Sequence, residues 1–155
     1  MTLGEYIQKR NGVAIGHPKS LRNNLYRSLG AKNFSSFWNY WNPVFGYYLG
    51  KKIFKPLKHF LPVTISLIAT FVFCGLIHDV VSILFRGQTV FLFSFWFLFM
   101  AIAVLISKYF KHNLSAKNWT IRALANLFIM GICLFLAYYI SRFSTVKIIF
   151  FSYSA

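Results

Sequence analysis

Acidic residues are nearly absent from this chain of 155 residues. Glu5 and Asp79 are the only two, against 17 lysines and arginines, so the formal net charge is +15. Cysteine is equally scarce, and both Cys74 and Cys133 lie in apolar segments. This excludes the disulfide framework of a small secreted domain. Histidines, cysteines and carboxylates do not cluster at ligand spacing, so the sequence predicts no metal site.

Charge of either sign is rare, since only 12% of the residues are charged. The apolar fraction is 57% and the aromatic fraction is 21%, whereas apolar residues make up about half of a globular domain. The basic residues lie between and beside apolar segments rather than along one polar face. This pattern argues against nucleic-acid binding and is typical of a membrane protein.

Three apolar segments are each near the roughly 20 residues that a membrane-spanning helix needs. They run over about 60–85, 89–107 and 123–141. The short link at 86–88 predicts that the first two form an antiparallel hairpin. The apolar stretch at 148–153 is too short to span.

Lysines and arginines indicate the orientation of these spans. They are concentrated before the first span and in the loop from Lys108 to Arg122. Because cytoplasmic loops carry the excess of positive charge, we expect a cytoplasmic N-terminus and a C-terminus on the opposite side.

The fold class predicted is an all-α integral membrane protein with a polar N-terminal cytoplasmic segment at 1–33 and a membrane domain at 34–155. The stretch 34–57 mixes aromatic residues with asparagines and lysines, which is typical of an amphipathic segment that is interfacial or re-entrant. Pro43 predicts a break or kink near Asn39 to Asn42.

Two ionisable residues, His78 and Asp79, lie inside the first span. A charge near the bilayer centre costs about 2.5–3.5 kcal/mol on insertion scales, so intramembrane ionisable residues are usually functional. A neutral imidazole can take a proton from an alcohol, and the amide of Asn39, Asn42 or Asn126 can hold a carbonyl or hydroxyl. Together these groups suit acyl transfer, in which an oxyanion forms.

Residues 37–42 (Phe-Trp-Asn-Tyr-Trp-Asn) and 73–79 (Phe-Cys-Gly-Leu-Ile-His-Asp) resemble motifs of the membrane-bound O-acyltransferase family. The pattern is closest to its wax-ester, sterol and diacylglycerol acyltransferase branches and covers about 31–85. The resemblance implies that His78 is the catalytic base and that Asn42 helps to activate the acceptor, with Asn39 a weaker candidate. Two departures stand out: arginines of the tryptophan motif are replaced, and the family has more spans.

The resemblance also implies an enzyme that transfers an acyl group from acyl-CoA or another thioester to a hydroxyl acceptor. It implies no cofactor besides the donor substrate. The expected partners are membrane lipids, the two substrates, and a second copy or another membrane subunit. The tentative substrate-binding residues are Asn39, Trp41, Lys51, Lys52 and Lys55, of which the lysines would attract the anionic donor.

Each of these residues has a structural alternative. His78 could hydrogen-bond a neighbouring span, Asn42 could start a turn before Pro43, and Asp79 could be a helix cap. The tryptophans could be anchors in the headgroup layer, and the lysines could face anionic lipid. The alternative function is a non-catalytic membrane subunit or helper, and proton-coupled transport is a third, weaker hypothesis.

Overall fold

The structure, a computed structural model, describes residues 1–86 and 89–143, and all regular structure in these ranges is helical. This confirms the predicted all-α class. The elements are α1 (Leu3–Asn11), α2 (Ser20–Leu29), α3 (Phe34–Tyr40), α4 (Pro43–Leu49), a π-helical turn (Gly50–Phe54), α5 (Lys55–Phe60), α6 (Val63–Arg86), α7 (Leu92–Tyr109) and α8 (Trp119–Phe143).

Helices α6, α7 and α8 are long and apolar enough to cross a membrane, which confirms the three predicted spans. The third begins at Trp119, four residues before the predicted start at position 123. The midpoint of α6 falls between Cys74 and Gly75, and His78 lies about 5 Å beyond it at a rise of about 1.5 Å per residue. Two residues of the predicted link (87–88) and the apolar stretch at 148–153 lie outside the described residues.

Helices α6 and α7 pack closely where α7 begins. A Cβ atom on Gly75 would lie 2.6 Å from the carbonyl oxygen of Phe93, so the close approach requires glycine. Asp79 is 1% exposed, and its carboxylate accepts hydrogen bonds from the backbone N–H of Phe93 (3.2 Å) and of Ser94 (2.8 Å). The hydroxyls of Ser94 (2.6 Å) and Thr89 (3.2 Å) also donate to it. The carboxylate therefore caps the N-terminus of α7.

Residues 34–60, here called the arm, enter and leave the helix bundle on the same side. Before the arm, the side-chain amide of Asn33 donates to the carbonyl of His112, in the loop between α7 and α8 (3.0 Å). The arm turns at Trp41 and Asn42 and returns to the start of α6 at Val63. Because α7 ends on the side where the antiparallel α6 begins, the arm starts and finishes at the same end of the helix bundle.

The turn of the arm is made by Asn42 and Pro43. Asn42 has left-handed backbone angles (φ 39°, ψ 71°), which an asparagine tolerates better than most residues. Its Oδ1 accepts from the backbone N–H of Phe45 (3.2 Å), and Pro43 is the first residue of α4. Proline suits this position because it has no N–H to leave unpaired. The predicted break is therefore present, between Tyr40 and Pro43.

The first part of the arm contributes two phenylalanines to the hydrophobic core. Phe34 and Phe37 are fully buried and pack with Met100, Val104 and Cys133. Helix α3 therefore places these two rings in the interior of the protein, against α7 and α8.

The N-terminal segment at 1–33 packs against the arm and against α8 through two aromatic pairs. The rings of Tyr6 and Tyr47 are 5.5 Å apart, and those of Tyr26 and Trp119 are stacked at 5.3 Å. Asn126 is 1% exposed on α8 and donates to the carbonyl of Leu29, the last residue of α2 (2.9 Å), and to that of Ala31 just after it (3.0 Å). This amide thus binds α8 to the loop before the arm rather than to another span.

Candidate functional site

A cavity of about 370 Å³ lies between the arm and the pair α6–α7. Three elements form its walls, and each presents polar groups to it. The lining residues include His78, Cys74, Thr70 and Leu67 on α6, Phe97, Val104 and Lys108 on α7, and Trp38, Asn39, Trp41 and Asn42 on the arm.

The α6 wall is one face of that helix. Leu67, Thr70, Cys74 and His78 are spaced by three, four and four residues, and helical periodicity places such residues above one another. They cover about 16 Å along the axis. The hydroxyl of Thr70 donates within its own helix, to the carbonyl of Ser66 at 2.7 Å. The imidazole is therefore the principal polar group of this wall.

The ring of His78 is oriented by its own helix. Its Nδ1 lies 2.9 Å from the carbonyl oxygen of Cys74, and because a carbonyl only accepts, Nδ1 carries the proton of this bond. In the neutral imidazole the lone pair is then on Nε2. The rings of Phe93 and Phe97 lie 5.5 and 5.3 Å from the imidazole ring. The ring is therefore held by the hydrogen bond of Nδ1, and Nε2 makes no hydrogen bond to any described residue.

Two amides of the arm line the same cavity as His78. Asn42 uses its Oδ1 for the cap of α4, while its Nδ2 makes no hydrogen bond to any described residue. Asn39 is exposed, and its side chain has no hydrogen-bond partner in the ranges 1–86 and 89–143. The turn predicted as the structural alternative for Asn42 is thus present, and it places this residue in the lining of the cavity.

The aromatic wall comes from Trp38 and Trp41. Trp41 stacks on Phe37 with ring centroids 5.4 Å apart, and Trp38 meets Phe71 edge-on at 5.0 Å. The sequence analysis treated Trp38 only as an interface anchor. Its place in the cavity wall could have been suspected from its neighbour Phe37, which lies on the same short helix and is buried in the protein core.

The three predicted donor-binding lysines do not line this cavity. Lys51 Nζ lies 3.3 Å from the hydroxyl of Tyr47, and Lys52 faces a separate groove. Lys55 is exposed on α5. The cavity's ammonium group comes instead from Lys108, which the sequence analysis used only to orient the spans. It lies about 16 Å along α7 from Phe97, at the end of the cavity far from His78.

Metal-binding groups do not come together in the ranges 1–86 and 89–143, where no three histidine, cysteine, aspartate or glutamate side chains cluster. Cys74 and Cys133 are both buried free thiols. The polar groups on the residues that line the cavity are therefore led by the imidazole, the two amides and the ammonium group. The hydroxyls of Tyr6 and Ser35 and the unpartnered indole N–H of Trp38 add to them.

A comparison with protein families gives a match over residues 12–141 to the membrane-bound O-acyltransferase family. No curated protein and no solved structure matches the chain. The match covers most of the chain, including the arm, the three spans almost in full, and every residue that lines the cavity except Tyr6. The chain belongs to the membrane-bound O-acyltransferase family.

Proposed function

We propose that this chain transfers an acyl group from a thioester, such as acyl-CoA, to a hydroxyl acceptor, with His78 as the general base. The observation that carries the proposal is that His78, whose Nε2 has no hydrogen-bond partner among the described residues, lines a cavity together with two asparagines whose amide N–H groups also have none. Family membership supports acyl transfer in general. The roles of the individual residues rest on their chemistry.

The reaction begins when the acceptor hydroxyl donates its proton to Nε2 of His78. The acceptor oxygen attacks the thioester carbonyl carbon, a C–O bond forms, and the carbonyl oxygen becomes an oxyanion. The C–S bond then breaks, and the departing thiolate takes the proton back from Nε2. The Cys74 carbonyl holds the Nδ1–H bond throughout and stabilises the imidazolium while it exists.

The oxyanion needs a donor, and the amide N–H groups of Asn42 and Asn39 are two of the neutral donors on residues that line the cavity, beside the hydroxyls of Tyr6 and Ser35 and the buried, unpartnered indole N–H of Trp38. Removing one such donor typically lowers kcat by about 10²–10³. Asn42 is the better placed of the two, because its Oδ1 is already held by the N–H of Phe45 and its amide orientation is therefore defined.

The donor substrate would enter at the Lys108 end. A thioester whose carrier bears phosphates is attracted by the positive field of Lys108 and of the lysines along the arm. Direct contacts from Lys51, Lys52 and Lys55 stay a prediction. Trp41 would pack against the acyl chain, since its indole lines the cavity.

The experiment is an acyl-transfer assay on the purified chain in lipid, with labelled long-chain acyl-CoA and a panel of alcohols. We expect ester product from the wild type, and a loss of about 10²-fold or more in His78→Ala, which is the usual size of a general-base contribution. His59→Ala, at an exposed site on α5, is the matched control and should retain activity. No ester from a folded wild type would contradict the proposal.

One observation favours a second candidate function, a subunit that binds another membrane protein. Phe128 and Phe135, seven residues apart on α8, are 69% and 68% exposed. This spacing puts both rings on one face of the helix, where lipid or a partner helix would cover them. In that case Phe128→Ala and Phe135→Ala would abolish copurification of a partner, whereas His78→Ala would not.

A further inference from the structure

A second groove, of about 430 Å³, lies on the other side of the arm from the His78 cavity. One wall comes from the π-helical turn and α5, where Lys52 and Leu57 contribute side chains. The other wall is the outer face of α6, including Ala69, Phe73 and Leu76. Leu49, Gly50 and Phe54 face the cavity instead, so the two faces of the arm serve different spaces.

The face of α6 that lines this second groove is apolar and open to the surroundings. Phe73 and Leu76 are each 40% exposed. From Ala69 to Leu76 the wall extends about 10 Å along the helix. Because α6 is one of the three candidate spans, hydrocarbon is the medium that would cover this wall in a bilayer.

The rim of the groove is basic. Lys52 lines the groove, and Lys55 and Lys58 are exposed beside it on the same short helical stretch. The chain has only two acidic residues. Asp79 caps α7, and the carboxylate of Glu5 accepts from the backbone N–H of Thr2 (2.9 Å) in the cap of α1. An anion from outside the chain is therefore needed to neutralise this rim.

We propose that the groove binds one anionic phospholipid. Lys52 and Lys55 hold the phosphate, and one acyl chain lies along Phe73 and Leu76. Charge and shape agree on this occupant: the rim attracts an anionic headgroup, and the apolar wall accepts a chain. The site is separate from the His78 cavity and does not depend on acyl transfer.

The test is native mass spectrometry of the whole chain released from detergent with phosphatidylglycerol or phosphatidylcholine of identical acyl chains. We expect Lys52→Gln to lower the ratio of retained phosphatidylglycerol to phosphatidylcholine by about threefold or more. Lys117→Gln, an exposed lysine in the loop after α7, is the matched control and should leave the ratio unchanged.

A second variant tests the apolar wall. Ala69→Phe fills the groove without changing charge, so it should lower the retention of both lipids. If it does not fold, Leu76→Trp at an exposed site serves the same purpose.

Three results would overturn the proposal. Equal ratios of retained phosphatidylglycerol to phosphatidylcholine in the wild type and Lys52→Gln would show that Lys52 does not bind the headgroup. An equal fall in Lys117→Gln would show diffuse charge attraction rather than a site. A dimer that Ala69→Phe dissociates would assign the groove to a second copy of the chain.

Discussion

The Nδ1 atom of His78 lies 2.9 Å from the carbonyl oxygen of Cys74, one turn earlier on the same helix. This contact leaves Nε2 available in the neutral ring and needs no carboxylate to orient the imidazole. The neighbouring Asp79 faces α7 instead, where it accepts from Ser94 and Phe93. Adjacent residues in one helix thus have separate tasks, the first at the cavity and the second in the packing of two spans.

We predict that Asp79→Ala lowers the free energy of unfolding rather than the intrinsic rate. The substitution leaves the N–H groups of Phe93 and Ser94 without their acceptor, which costs about 1–3 kcal/mol for buried donors. Unfolding in mixed micelles measures the change. Acyl transfer per folded molecule should stay near that of the wild type. A stable variant with activity lost would instead place Asp79 in the chemistry.

Gly75→Ala should destabilise the α6–α7 pair. The new methyl group would meet the Phe93 carbonyl at 2.6 Å, so the helices must separate, at a cost of about 1–3 kcal/mol. Gly131→Ala is the control, because nothing lies within 4 Å of that site on α8. There the loss of glycine should raise stability by up to about 1 kcal/mol. Thermal unfolding in the same detergent compares the two, and equal shifts would contradict the close approach.

Gly50→Leu should change the preference for acyl-chain length. Gly50 lines the cavity, and a Cβ atom there meets nothing within 4 Å, so a leucine side chain can occupy space that a long acyl chain would use. We expect kcat/KM for a long-chain donor to fall about tenfold relative to a short-chain donor, since lost methylene contacts cost about 1–3 kcal/mol. Gly131→Leu, outside the cavity, should leave the ratio unchanged. An unaltered ratio in Gly50→Leu would argue against acyl binding at this wall.

Asn42→Asp separates the cap of α4 from catalysis. Aspartate retains an oxygen for the N–H of Phe45, so the turn should persist, but it lacks the amide N–H that asparagine has at this position in the cavity lining. We expect normal folding by circular dichroism and a fall in kcat on the order of 10²-fold. Full activity in Asn42→Asp would show that Asn42 only caps α4 and does not take part in catalysis.

The features that the sequence predicted are those with a local signal. The three spans follow from apolar length alone, and His78 is identified because an ionisable group inside a span is costly. The break before Pro43 follows from the missing N–H of proline. The family resemblance rested on two short motifs that the match over 12–141 includes.

The features that the sequence did not predict depend on contacts between distant residues. The partners of Asp79 lie 14 and 15 residues further on, across the turn between two helices. Lys108 reaches the cavity only because α7 runs antiparallel to α6. Phe34 and Phe37 are buried because the arm packs between the spans. Composition alone does not predict this burial, because an aromatic stretch at a membrane interface has the same composition.

The most direct test of the base assignment is the initial rate of acyl transfer by folded His78→Ala with increasing concentrations of added imidazole. We expect the variant to lose about 10²-fold or more in rate and to regain part of it with imidazole, because the removed ring leaves room beside the cavity and the missing group is a proton acceptor. A folded His78→Ala variant that transfers the acyl group at the wild-type rate without imidazole would contradict the role of His78 as the base.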